Sequence, residues 1–147
     1  MLAILEWQIG LREIDARFRR EGWGGRYPAG GIYHQEVRGQ TLGIVGYGHI
    51  GEAIATRAAA FGMKIVATRR SQCATPAPLD WLGTEEQLPQ LLQQSDFIVL
   101  ACDLNDATRN LINTETLEQM KNNAVVINVA RGEVIDEDAL YLSLIHI

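Results

Sequence analysis

A doubly wound α/β fold, in which helices cover both faces of a parallel sheet, is the architecture this sequence predicts. Three observations point to it. Short apolar runs of strand length recur along the chain, and helical segments lie between them. The runs are apolar at successive positions, so each strand needs cover above and below, as strands of a buried parallel sheet do. The first strand also passes into its helix through a glycine-rich bend, Gly46-Tyr47-Gly48-His49-Ile50-Gly51.

Taken in order, residues 2–20 read as one helix, because Ile4, Trp7, Leu11, Ile14 and Phe18 recur at helical spacing along one face. Glu6, Arg12, Glu13, Arg17 and Arg20 fall on the other. Gly22 to Gly31, with five glycines, Pro28 and the aromatics Trp23 and Tyr27, reads as an irregular joint. Leu42 to Val45 is a short strand, and Ile50 to Phe61 is an alanine-rich helix stopped by Gly62. Lys64 to Thr68 is a second strand. Residues 71–78, with Pro76 and Pro78, are loop, and Leu79 to Leu82 is a short third strand. Thr84-Glu85-Glu86-Gln87 has the pattern of a capping box opening a helix that runs to Gln94. Pro89 sits awkwardly in it, since a mid-helix proline removes a hydrogen bond. Asp96 to Ala101 is a strand, Thr114 to Met120 a helix and Ala124 to Val129 another buried strand. The expected organisation is a connecting helix over 1–21, a linker over 22–40, a Rossmann-type domain over 41–140 and a tail over 141–147.

The totals exclude several classes of function. At 147 residues the chain has room for one domain. A complete domain of that size buries roughly 70% of its unfolded surface. The net charge is −5 and the basic residues are scattered, which argues against a nucleic-acid or membrane-surface role. No apolar run reaches the roughly 20 residues of a membrane span, and no signal-peptide pattern opens the chain. Cys73 and Cys102 make no disulfide framework, and with His34, His49 and His146 they show no metal-ligand spacing. A reducing cytoplasm is the expected compartment.

The glycine bend fits G-x-G-x-x-G in the context that gives the motif meaning, after a strand and at the start of a helix. The first glycine permits the tight turn, the second lets the backbone approach a pyrophosphate, and the third lets the helix lie close to the strand. Free N–H groups at the helix start then hold the anion. The alternative is a glycine-rich turn that binds nothing. His49 is a phosphate contact or simply a solvent-facing turn residue.

Some 20 residues past such a bend, a dinucleotide site usually places an acidic residue on the adenosine ribose. Here the second strand ends in Arg69-Arg70-Ser71, and no acid occurs from Lys64 to Leu79. Two arginines would attract a 2′-phosphate that a carboxylate would repel. The pattern favours NADP(H) over NAD(H); the alternative is a solvated pair at a strand end.

With Asp96-Phe97-Ile98-Val99-Leu100-Ala101-Cys102 and Asn128-Val129-Ala130-Arg131-Gly132-Glu133-Val134-Ile135-Asp136-Glu137, the chain resembles the D-isomer-specific 2-hydroxyacid dehydrogenases, and among them the glyoxylate/hydroxypyruvate reductases. The resemblance runs from about Leu2 to Leu140. It implies an oxidoreductase that moves hydride between a nicotinamide dinucleotide and a small 2-oxo or 2-hydroxy acid. It further implies that Arg131 binds the substrate's carboxylate and 2-oxo group, that Tyr47, His49 and Ile50 lie in the pyrophosphate loop, that Cys102 and Asp103 meet the cofactor, and that Val129 and Ala130 pass close to the nicotinamide. A guanidinium fixed at the carboxyl end of a parallel strand can clamp a 2-oxo acid and polarise its carbonyl. Otherwise Arg131 is a structural partner of Glu133, Asp136 or Glu137, and Cys102 a small buried apolar residue. His49 replaces the arginine usual in the family, and Arg69 stands where NAD-using members carry aspartate.

The family's general acid, a histidine paired with a carboxylate, lies well downstream of the arginine motif; His146 is too close to Arg131 to be that group. The resemblance also places a substrate domain before Met1 and makes residues 2–20 a helix that connects domains and helps form a homodimer. The tail Tyr141 to Ile147 departs from the family's pattern and is read as artefactual, the end of a truncated reading frame. On this reading the domain is cut at its C-terminal side, the last strand is left as an apolar edge, and the isolated chain is marginally stable and inactive. Two rivals remain: a phosphoglycerate, formate or phosphite dehydrogenase of the same superfamily, and a non-catalytic dinucleotide-sensing module of the corepressor type. A binding domain standing alone by design is disfavoured by the abrupt ends.

Overall fold

The computed structural model describes residues 1–22, 36–71 and 73–145, with side chains through Ser143. The elements follow one another as α1 (Leu2–Ile9), α2 (Leu11–Glu21), β1 (Thr41–Val45), α3 (His49–Ala60), β2 (Lys64–Thr68), β3 (Trp81–Gly83), α4 (Leu88–Gln94), β4 (Phe97–Leu100), α5 (Thr114–Glu118), β5 (Val125–Asn128) and α6 (Glu137–Ile145). The five strands form one sheet in the order β3-β2-β1-β4-β5, and every pairing is parallel. This is the doubly wound, Rossmann-type order, which starts at the centre and winds outward both ways.

Alternation along the strands divides the core in two. On one face Leu42 and Ile44 of β1, Ile65 and Ala67 of β2, and Phe97 and Val99 of β4 pack against Ile4 of α1 and Ala55 and Ala58 of α3. On the other, Val45, Val66, Ile98 and Leu100 pack against Leu88, Leu91 and Leu92 of α4. Gly43 makes the second contact possible: a Cβ there would meet Leu91 Cδ2 at 2.7 Å, so α4 lies directly on the β1 backbone.

Several expectations need correction. The single helix over 2–20 is two helices. Gly10 adopts a left-handed conformation (φ 64°, ψ 37°), and its N–H closes α1 on the carbonyls of Glu6 and Trp7. The apolar face does not continue through this break: Ile4 is buried, whereas Trp7 is 65% and Leu11 47% exposed. The Thr84 capping box opens a short 3-10 turn, Glu85–Gln87, and α4 begins afresh at Leu88. Pro89 therefore falls in the first turn of a new helix, where its missing N–H costs nothing. The third strand lies at Trp81–Gly83, slightly later than expected, and α5 ends at Glu118 rather than Met120. β5 is only half-buried, because no strand pairs beyond it among the described residues. The glycine-rich joint lies almost wholly outside the described residues; in the tail, α6 continues through Ile145.

Candidate functional site

The strand register brings four strand ends level. Val45 stands opposite Thr68 of β2 and Leu100 of β4, and Leu100 opposite Asn128 of β5. The residues that follow each strand therefore emerge along one edge: Gly46 after β1, Arg69 after β2, Ala101-Cys102 after β4 and Val129-Ala130-Arg131 after β5. The chain leaves β1 toward the β2 side and β4 toward the β5 side. The crevice where winding reverses is where open α/β sheets bind ligands.

Each glycine of the bend has a distinct steric reason. Gly46 has φ +95°, and a Cβ on it would lie 2.6 Å from the Cys102 backbone. Its N–H and that of Tyr47 both donate to the Thr68 carbonyl, at 3.1 and 2.9 Å, tying the bend to the end of β2. A Cβ on Gly51 would lie 2.8 Å from the Gly46 carbonyl oxygen, so α3 sits tight against the bend. Gly48 differs, since a Cβ there would meet nothing within 4 Å on the protein's side. Gly48 is also the N-cap of α3, and no side chain caps that helix. The first amides of α3, from His49, Ile50 and Gly51, thus start an uncapped helix at an open surface, a geometry that suits a diphosphate. The side chains of His49 and Ile50 are exposed, and Tyr47 is half-buried against the first core layer. Burial, then the charges of Glu52 and Cys73, push the Tyr47 hydroxyl up from its ordinary value.

At the end of β2 the two arginines are held differently. Arg69 donates from Nη1 to Cys73 Sγ at 3.4 Å, and its backbone N–H donates to the Gly83 carbonyl. Arg70 faces Glu85, with Nε 4.0 Å from Oε1. Glu85 lies outside the acid-free stretch of sequence, at the start of the 3-10 turn after β3, and only the parallel pairing of β2 with β3 brings it there.

After β4, Cys102 is half-buried beneath the bend, and its backbone is what Gly46 must avoid. Burial above all pushes its thiol up, aided by the negative charges of Asp103 and Glu85. The Asp103 side chain is exposed, and its carbonyl accepts the Thr108 hydroxyl at 2.6 Å. After β5, Val129 is 45% exposed and donates its N–H to the Leu100 carbonyl. Asn128, to which the sequence reading gave no role, shapes the next turn. Its Oδ1 accepts the Ala130 N–H at 2.9 Å, and its Nδ2 donates to the Arg131 carbonyl at 2.8 Å. This is an Asx turn, for which an asparagine at a strand end was the available signal. It presents Arg131 with an exposed guanidinium whose hydrogen bond goes to the neighbouring Ala130 carbonyl. Among the described residues no carboxylate forms an ion pair with Arg131, so the expected alternative partners, Glu133, Asp136 and Glu137, do not hold it.

Comparison with known proteins is decisive for the family. Residues 1–146 match the family described as D-isomer specific 2-hydroxyacid dehydrogenase, NAD binding domain. The chain belongs to that family. This NAD-binding domain is 40% identical over 117 residues to the hydroxypyruvate reductase of Thermotoga maritima, a match covering 80% of the chain and 37% of the relative. It is 46% identical over 110 residues to the glyoxylate reductase of Thermococcus kodakarensis, covering 74% of the chain and 32% of the relative. An acyclic imino acid reductase solved in complex with NADPH and D-arginine superposes with a TM-score of 0.83 at 30% identity, over 97% of this chain and 44% of that one. The domain thus spans about a third of the length of these two reductases. No described helix is long and apolar enough to cross a membrane.

Proposed function

We propose that this chain is the coenzyme-binding part of an enzyme that transfers hydride between NADPH and a small 2-oxo acid, with glyoxylate or hydroxypyruvate as substrate. The observation that carries the reading is Arg131, an exposed guanidinium without a carboxylate partner among the described residues, at the same sheet edge as an uncapped, glycine-lined helix start. The family membership and the two similar reductases support the substrate class.

When bound, the nicotinamide supplies the hydride. The protein's own groups do the rest. Gly46, Gly48 and Gly51 shape the seat of the diphosphate, and the amides of His49, Ile50 and Gly51 hold its charge beside Tyr47. Arg69 and Arg70 hold the 2′-phosphate. Cys102 and Asp103 border the crevice, and Val129 and Ala130 flank the nicotinamide. Arg131 clamps the substrate carboxylate and draws electron density from the carbonyl that hydride attacks. The proton for the resulting alkoxide comes from a general acid, which the family resemblance makes a histidine paired with a carboxylate; His146 lies outside the described residues. The apolar side chains that α1 and α2 expose, Leu2 and Trp7 foremost, support a homodimer of the complete enzyme. Two free thiols, Cys73 and Cys102, suit a reducing cytoplasm.

The test is steady-state reduction of glyoxylate and hydroxypyruvate by the complete enzyme with each coenzyme. Turnover of either acid, faster with NADPH, is the expected result. No turnover of either acid would remove the substrate assignment, and a preference for NADH would remove the coenzyme assignment alone. The isolated chain is expected to reduce neither acid.

A further inference from the structure

The coenzyme pocket holds a charge that the β2 end alone does not reveal. Arg70 and Glu85 are both exposed and stand 4.0 Å apart. Glu85 comes from the turn after β3, so its position is set by the sheet and not by Arg70. Arg69, by contrast, is engaged by a thiol and, among the described residues, by no carboxylate. A doubly charged phosphate arriving at Arg70 must therefore compete with a carboxylate already facing that guanidinium, and it feels the repulsion of that carboxylate.

We propose that Glu85 is a specificity-determining residue for the dinucleotide, restraining Arg70 and so holding the preference for a 2′-phosphorylated coenzyme below what the two arginines would give. The inference rests on the reading of Arg69 and Arg70 as the 2′-phosphate site. An exposed ion pair is weak and screened by salt. Repulsion of a phosphate by a carboxylate at the same site adds to it, so the expected effect is severalfold.

The experiment is equilibrium titration of the chain and its variants with NADPH and with NADH, at low salt. Glu85→Gln should tighten NADPH binding about three- to tenfold and leave NADH within about twofold. In an Arg70→Gln background the same change should shrink to less than half, because Glu85 acts largely through Arg70. Glu86→Gln, at an equally exposed neighbour, should shift neither coenzyme. The proposal is overturned if Glu85→Gln changes both coenzymes alike, if it weakens NADH, which would make Glu85 a ribose ligand, or if Glu86→Gln gives the same tightening. A wild-type chain that prefers NADH would refute the arginine assignment instead, and the ratio of Glu85→Gln to wild type for NADPH would still be read separately.

Discussion

The two edges of the sheet are made by the same strands, yet their polar groups end in opposite ways. At the amino edge the protein satisfies itself. Asp96 accepts the Thr41 N–H at 2.8 Å with one carboxylate oxygen and binds Lys121 at 2.7 Å with the other. Asp80 does the same for Ile65, at 2.7 Å. At the carboxyl edge the amides that open α3 have no side-chain cap, and among the described residues no carboxylate pairs with Arg131. Carboxylates at the first edge are spent on backbone groups of the fold, whereas at the second Arg131 is exposed and Arg70 meets Glu85 only at 4.0 Å between exposed side chains. Stability and ligand binding should therefore separate by edge.

That separation can be broken at four places. The largest effect belongs to Arg131→Ala in the complete enzyme. On the proposed role of Arg131 in polarising the reacting carbonyl, its loss should lower kcat/KM by about 10²–10³, or about 3–4 kcal/mol. Thermal unfolding should move by no more than about 2 °C, since the side chain is exposed and, among the described residues, bonded to its neighbour Ala130 alone. Next is Asp96→Ala at the other edge. It removes two hydrogen bonds that involve a charge and should cost about 2 kcal/mol in urea unfolding while the NADPH affinity of the folded chain stays put. A matching loss of affinity would mean the edges are coupled.

Gly48→Val sharpens the contrast from within the bend. The protein leaves space for the Cβ, and the backbone there is extended (φ −115°), so stability should change by less than about 1 kcal/mol. NADPH binding should weaken by about tenfold or more, because the side chain would fill the path of the diphosphate. The smallest effect is chemical. Burial holds the Cys102 thiol above its ordinary value, so less thiolate is present at pH 8 than in an unfolded chain. Alkylation with iodoacetamide should be about three- to tenfold slower than for a cysteine in a short peptide, and slower still with NADPH. A rate equal to the peptide's would put Cys102 in open solvent.

The sheet and the bend were legible in the sequence because both rest on local signals. Each strand is a short run apolar on both faces, and Gly46, Gly48 and Gly51 have backbone reasons that spacing alone conveys. What the sequence hid depends on which element lies beside which. Glu85 faces Arg70 only because β3 pairs with β2, so a search for acids along the β2 end passes it by. Asn128 shows its part only once its turn places an amide and a carbonyl within reach of one side chain. The helix over 2–20 misled for the reverse reason: apolar spacing ran on through Gly10, where the backbone turns left-handed and the register is lost. Pro89 looked like an interruption because the boundary between a 3-10 turn and α4 leaves little trace in side-chain type.

On the proposed function, a pyridine dinucleotide lies across the carboxyl edge with its diphosphate on the start of α3. Backbone amide shifts of the ¹⁵N-labelled chain, followed during titration with NADPH, test it most directly. Changes should concentrate at Gly46 to Gly51, at Arg69 and Arg70, and at Val129 to Arg131, with Thr41, Ile65 and Lys121 unmoved. Changes centred on the amino edge, or a bend whose amides do not respond at saturating NADPH, would contradict it.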